Sequence, residues 1–195
     1  MDELPDADAI LSYLPNTEIC ERNIRCMMIN EVVADAPEND FYSETANSYY
    51  MGTTLPLFEK AGFHVNGIGD ILAAGIYITN AIRLPKQETT IDADTIRKHA
   101  PFLEREIDLF PNLRAVMLMG DVAKKMFNLI GKQKTGKNPI PSTSTYKLRK
   151  SETYFGEIRV FPSYIMTGKN ILIEKSKVEM AAEDIEKMLA LIAMR

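Results

Sequence analysis

The sequence predicts an α/β fold: a three-layer α/β/α sandwich around a central four-stranded parallel sheet. Two observations carry this. Four apolar runs, at 24–34, 75–82, 115–119 and 157–166, have the length and density of buried strands. Between and after them lie segments whose apolar residues recur at helical spacing. The 195 residues suit one domain, 1–195, with one well-filled core and an acidic segment over 1–23.

In order along the chain, a short amphipathic piece around Ala9 to Leu14 stops at Pro15. The first strand, IRCMMINEVVA, is interrupted only by Asn30 and Glu31. A polar, turn-rich stretch over 35–48 follows; a connection of that length in a compact domain is usually functional or mobile. TTLPLFEKAGF has helical spacing and a stop signal at Gly62. GIYITNAI is the second strand. The next helix starts at Asp92 or Asp94 and carries Ile96, Leu103, Ile107 and Phe110 on one face, with Pro101 as a kink or as its true beginning. AVMLM is the third strand, and Gly120-Asp121 turns into and caps the helix VAKKMFNLI. Residues 131–153 are rich in Gly, Lys, Ser and Thr and read as a connection. EIRVFPSYIM is the fourth strand, and a helix over 177–193 aligns Val178, Ala181, Ile185, Met188 and Ile192.

Composition narrows the class. Apolar residues at 46% and charged residues at 26% are ordinary for a globular protein. The apolar runs are far too short for a membrane span, and the acidic start lacks the features of a signal peptide, so a cytoplasmic protein without a membrane partner is expected. Cys20 and Cys26 cannot build a disulfide scaffold or a four-cysteine metal site. No metal and no cofactor are expected. Residues 124–177 hold twelve Lys and Arg against three acids, a balance of +9, and the remainder balances at −13. Such a basic third suits a polyanion or, equally, a solvated lysine-rich surface.

Ligands of open parallel sheets bind outside the carboxyl ends of the strands. Asn30, Glu31, Asn80, Ser163 and Thr167 converge there. Each alone is more readily a loop or helix cap; together they point to a site. There is no GxGxxG after a strand, no P-loop, no GxSxG, no paired-histidine metal motif and no CxxC. His64 and His99 read as exposed or structural.

The central block, IYITNAIRLPKQETTIDADTIRKHAPFLEREIDLFPNLRAVMLMGDVAKKMF, resembles the uracil-DNA glycosylase superfamily, and most closely its iron–sulfur (family 4) branch. The wider likeness runs from about residue 24 to 192. It implies base flipping and hydrolysis of an N-glycosidic bond. Asn30-Glu31-Val32-Val33-Ala34 takes the place of the family's G-E-A-P-G, which positions the attacking water; Glu31 keeps the acid, while the glycine and proline are lost. Tyr49-Tyr50-Met51-Gly52 takes the place of P-F-V-G, making Tyr50 the ring that stacks on the extruded base, with Tyr49 beside it. Asn80 fits the Asn of T-N that reads the pyrimidine edge. The histidine of H-P-S falls on Phe161 or on Ile165 according to the register chosen, and is absent in both. Ser163, Thr167, Gly168 and Lys169 then form the leaving-group or minor-groove loop, Thr167 and Lys169 being the substitutes for the histidine. Leu84 and His99 stand where the branch has iron–sulfur cysteines. Lys132, Lys134, Lys137, Lys147, Arg149 and Lys150 are expected on DNA phosphates, single- or double-stranded.

Three functions fit. The first is a glycosylase removing uracil or another deaminated base from DNA in base excision repair. The second is a relative that binds nucleobases or nucleic acid with little or no turnover. The third is an enzyme acting on a free nucleoside or other small substrate. Oligomeric state is left open.

Overall fold

The computed structural model describes residues 7–44, 48–86, 90–168, 171 and 173–194. Its strands are β1 (Cys26–Val32), β2 (Ile76–Ile82), β3 (Ala115–Met119), β4 (Thr153–Phe155) and β5 (Ile158–Ser163). Its helices are α1 (Ala7–Leu11), α2 (Tyr49–Lys60), α3 (Ile68–Ala73), α4 (Ala93–Leu109), α5 (Asp121–Thr135), α6 (Thr145–Leu148) and, after residue 174, α7 (Lys175–Ala193).

The five strands form one sheet in the order β2-β1-β3-β5-β4. The first four are parallel, as expected. The sheet is larger by one strand, because β4 pairs antiparallel with β5 through Tyr154 opposite Arg159. Three residues carry too little pattern to announce a strand, and the lysine-rich connection hides this one.

Alternation along β1 divides the molecule into two cores. Met27 and Ile29 pack toward α4 and α5 with Leu103, Phe127 and Val160. Cys26 and Met28 pack toward α2 and α7 with Leu57, Phe58, Ile185 and Met188. Both cores are apolar and close-packed, so the sheet is a rigid platform whose strand ends are held in place.

Several boundaries move. α2 begins at Tyr49, four residues before the sequence pattern, because the Ser48 hydroxyl accepts from Met51 N–H and caps it. α4 runs unbroken through Pro101, capped by Asp92, whose carboxylate accepts from Thr95 N–H. α5 continues to Thr135 and ends at Gly136, which supplies a left-handed cap at φ +78°. Its N-cap position is Gly120, and Asp121 does not cap it.

Candidate active site

β1 is the central crossover of the sheet, with β2 on one side and β3 on the other. A crevice opens where the chain order reverses, at the carboxyl ends of such strands. Asn30 and Glu31 lie near the carboxyl end of β1, and alternation sends their side chains to opposite faces.

Glu31 faces α5. Its Oε1 accepts from Val122 N–H at 2.9 Å, so the carboxylate caps the helix from 91 residues away. That places a negative charge on the positive end of the helix dipole. Gly120 makes the approach feasible. It sits at φ +110°, and a Cβ there would collide with Glu31 Oε1 and with the side chain of Ile165. Glu31 lines a crevice of about 420 Å³ with Gly120, Asp121, Ser163, Thr167 and Lys177. That volume is in the range of small-ligand sites. Thr145, Tyr164, Ile165 and Gly168 complete much of its wall.

Asn30 faces α2 and lies beside Asn80 in the parallel register. Its amide donates to Asn80 Oδ1 at 2.8 Å and to Val32 O at 2.9 Å, and its Oδ1 accepts from the Thr167 hydroxyl at 3.1 Å. Asn80 Nδ2 donates to the Asp40 carboxylate at 3.2 Å. Asp40 also accepts from Ala34 N–H at 2.7 Å and Phe41 N–H at 2.8 Å. All three side chains are buried. Burial pushes the Asp40 carboxyl above the usual carboxylate range; its two backbone hydrogen bonds and Asn80 pull the other way. Tyr50 places its ring 5.2 Å from that of Phe41, and its hydroxyl donates to Val32 O at 3.0 Å. The Tyr50 hydroxyl is held neutral by burial. Tyr49 lies 6.3 Å from Tyr50, more exposed on the first turn of α2.

The residues foreseen for the site therefore fall into two groups with one bridge. Glu31, Ser163, Thr167 and Gly168 line the crevice. Asn30 and Asn80 form a buried polar cluster behind it, bordered by the half-buried Tyr50. Thr167 belongs to both. Asp40, which organises Asn80, was not singled out. It stands among Asp35, Glu38 and Asn39 in a polar loop, where nothing local marks it.

The two registers for the missing histidine separate in space. Phe161 is buried in the α2–α7 core, while Ile165 lines the crevice and is 42% exposed. Ser163 is fully buried and donates to Asp184 Oδ2 at 2.6 Å. Asp184 in turn holds Arg149 Nε at 2.7 Å, and Arg149 Nη2 also donates to Met180 O and reaches Glu183. Arg149 is thus spent in a buried ion pair and does not present its charge to a phosphate. Lys169 lies outside the described residues.

The lysines also divide. Lys147 and Lys150 follow Thr145 at the crevice. Lys132, Lys134 and Lys137 sit at the far end of α5. Eleven residues separate Lys132 from Asp121, roughly 16 Å at 1.5 Å per residue, and Lys134 pairs with Asp108 at 2.8 Å. The structure does not bring those three together with the crevice.

The histidines lie elsewhere. His64 is exposed and meets Glu59 at 2.6 Å. His99 is buried, and its Nδ1 accepts from Arg83 N–H at 3.3 Å; burial and the Arg83 charge lower its pKa to about 4. Arg83 itself is buried in an ion pair with Glu106 and donates to Thr79 Oγ1 at 2.6 Å.

The sequence pattern of the uracil DNA glycosylase superfamily matches residues 32–180, more than half of the chain. The chain belongs to the uracil DNA glycosylase superfamily. The match starts one residue after Glu31 and takes in Tyr50, Asn80, Ile165 and Thr167. No curated protein matches the chain significantly. Among the described residues, no group of three or more His, Cys, Asp or Glu side chains is placed to hold a metal ion. No helix of those residues is long and apolar enough to cross a membrane.

Proposed function

We propose that this single-domain protein removes uracil or another deaminated base from DNA by hydrolysing the N-glycosidic bond, in the manner of base excision repair. The observation that carries the reading is the placement of Glu31: a carboxylate at the central strand end, fixed on the α5 N-terminus and lining a crevice of about 420 Å³. Breaking the bond leaves an oxocarbenium-like sugar and an anionic base. A fixed carboxylate beside the sugar stabilises the cation and orients the attacking water. An extruded base enters the crevice past Ile165, an apolar group of the kind that wedges between base steps. It meets Thr167 first. Displacing the Thr167 hydroxyl from Asn30 Oδ1 opens the route to Asn80, whose amide offers one donor and one acceptor to a pyrimidine edge. Tyr50 forms the stacking wall there, with Tyr49 at its margin. Thr167 and Gly168 then lie at the leaving base.

The family 4 likeness is one of sequence: Cys20 and Cys26 are the only thiols, and Leu84 and His99 stand at two of the cluster positions. Leu84 offers no donor, His99 Nδ1 is already taken by a backbone N–H, and Cys26 is buried 3.0 Å from Met188 Sδ. This donor set does not fit an iron–sulfur cluster, which needs thiolates.

A second reading is favoured by one observation. Asn80 spends both its amide functions inside the protein, on Asn30 and on Asp40. A protein that keeps this arrangement binds nucleic acid without turnover. The test is abasic-product formation on labelled single- and double-stranded oligonucleotides carrying uracil, hypoxanthine or xanthine. Product on any one supports the enzyme. No product on all of them, with retained salt-sensitive binding, leaves the second reading. Turnover of free nucleosides without DNA binding overturns both.

A further inference from the structure

We infer that an exposed tyrosine–cation track leading away from the crevice binds single-stranded nucleic acid beside the excision site. This rests on the reading that the substrate is DNA. At the crevice end stands the half-buried Tyr164, with Lys177 Nζ 5.9 Å from its ring centroid and itself paired with Glu174 at 2.7 Å; Arg149, 6.0 Å from the ring, is held by Asp184 and contributes no free charge. Thr145 lines the crevice, and the next residue, Tyr146, is 53% exposed. Lys150 lies 4.2 Å from the Tyr146 ring centroid and donates to its hydroxyl at 3.0 Å. One residue further, Ser151 O accepts from Arg159 at 3.3 Å. Arg159 lies over Tyr154, 5.2 Å from the ring centroid, and Tyr154 is 52% exposed on the edge strand β4.

Tyr146 and Tyr154 are therefore each open to solvent on part of the ring and bear a cation on another part. This pairing suits a flexible strand whose unstacked bases lie on the rings while its phosphates meet the cations. Paired bases in a duplex have no free faces to give. Glu152 and Glu157 on the same hairpin limit the positive field, so stacking rather than charge carries most of the affinity. Hydrophobic burial does not account for Tyr146 and Tyr154, which are among the most exposed large side chains of the described residues.

The experiment is fluorescence anisotropy of a labelled oligothymidine strand, and of its duplex, across a salt series. Neither carries an excisable base, so binding is read apart from turnover. The single strand is expected to bind more tightly than the duplex. Tyr146→Ala and Tyr154→Ala are each expected to weaken single-strand binding about 5- to 100-fold with an unchanged salt slope. Tyr146→Leu and Tyr154→Leu, which retain apolar bulk, should weaken it similarly. Lys150→Gln is expected to lower the salt slope by about 0.7. Equal affinity for duplex and strand overturns the inference. So does parental affinity in both alanine variants, or tyrosine-dependent binding to anionic phospholipid vesicles in preference to the oligonucleotide. Excision from a single-stranded uracil oligonucleotide that ignores both tyrosines would also overturn it while leaving the proposed function intact.

Discussion

Asn30 and Glu31 are neighbours on one strand and occupy opposite kinds of environment. Glu31 caps a helix at the edge of an open crevice, with one backbone donor on Oε1 and the crevice beside it. Asn30 is shut into a cluster where its own amide, that of Asn80 and the Asp40 carboxylate satisfy one another. Each arrangement answers a different requirement. A buried polar group must be paired, so the closed side is ordered by hydrogen bonds and is costly to disturb. A group facing solvent is free to act on a ligand, and its loss costs function before stability.

The contrast is open to several tests. The largest effect is expected on the closed side. Asp40→Ala leaves Ala34 N–H, Phe41 N–H and the Asn80 amide without their acceptor, and should cost about 4 kcal/mol in urea unfolding. A loss under about 1 kcal/mol would mean that water already serves this cluster. Next is Gly120→Ala, which adds strain at φ +110° and drives Glu31 off the α5 N-terminus. It should cost roughly 3 kcal/mol and displace the Val122 amide resonance. An unmoved resonance would show that Glu31 does not cap α5.

A buried histidine gives a smaller effect, with a sign fixed by its pKa. His99 falls to about 4 in the folded protein, from an ordinary value near 6.5. Between those values the unfolded chain binds the proton and the folded one does not, so stability is full above about pH 6.5 and is lost as pH falls toward 4. The loss should be about 2 kcal/mol after allowance for solvent screening. His99→Gln should flatten that limb of the stability–pH curve. An unchanged slope would locate the acid sensitivity elsewhere.

The sequence made the strand-end residues legible, and the reason is topological. An open parallel sheet gathers its strand ends, so Asn30, Glu31 and Asn80 were bound to meet near one another. Their orientation was missed: the strand-end pattern gathers Asn30 and Glu31 at one crevice, whereas strand alternation sends their side chains to opposite faces. What could not be read was closure. Whether Asn80 faces solvent or Asp40 depends on how the loop over 35–44 folds back, a long-range choice with no local signal. Arg149 shows the same limit. In a lysine-rich stretch it looks like a phosphate ligand, but Asp184, on the apolar face of α7, claims it together with Ser163. Lys132, Lys134 and Lys137 were displaced by helix length alone: five more residues of α5 carry the chain away from the crevice.

Glu31 is proposed as the working group of an open site. That role is tested most directly by single-turnover excision from a uracil-containing oligonucleotide by the parent and by Glu31→Gln, with binding and unfolding measured on both. The variant is expected to show a rate lower by about 10²–10³, DNA affinity within a few-fold of the parent, and a stability loss of about 1 kcal/mol from the weakened helix cap. An equal rate in the two proteins, or a variant that fails to fold, would contradict that role and make Glu31 a structural cap.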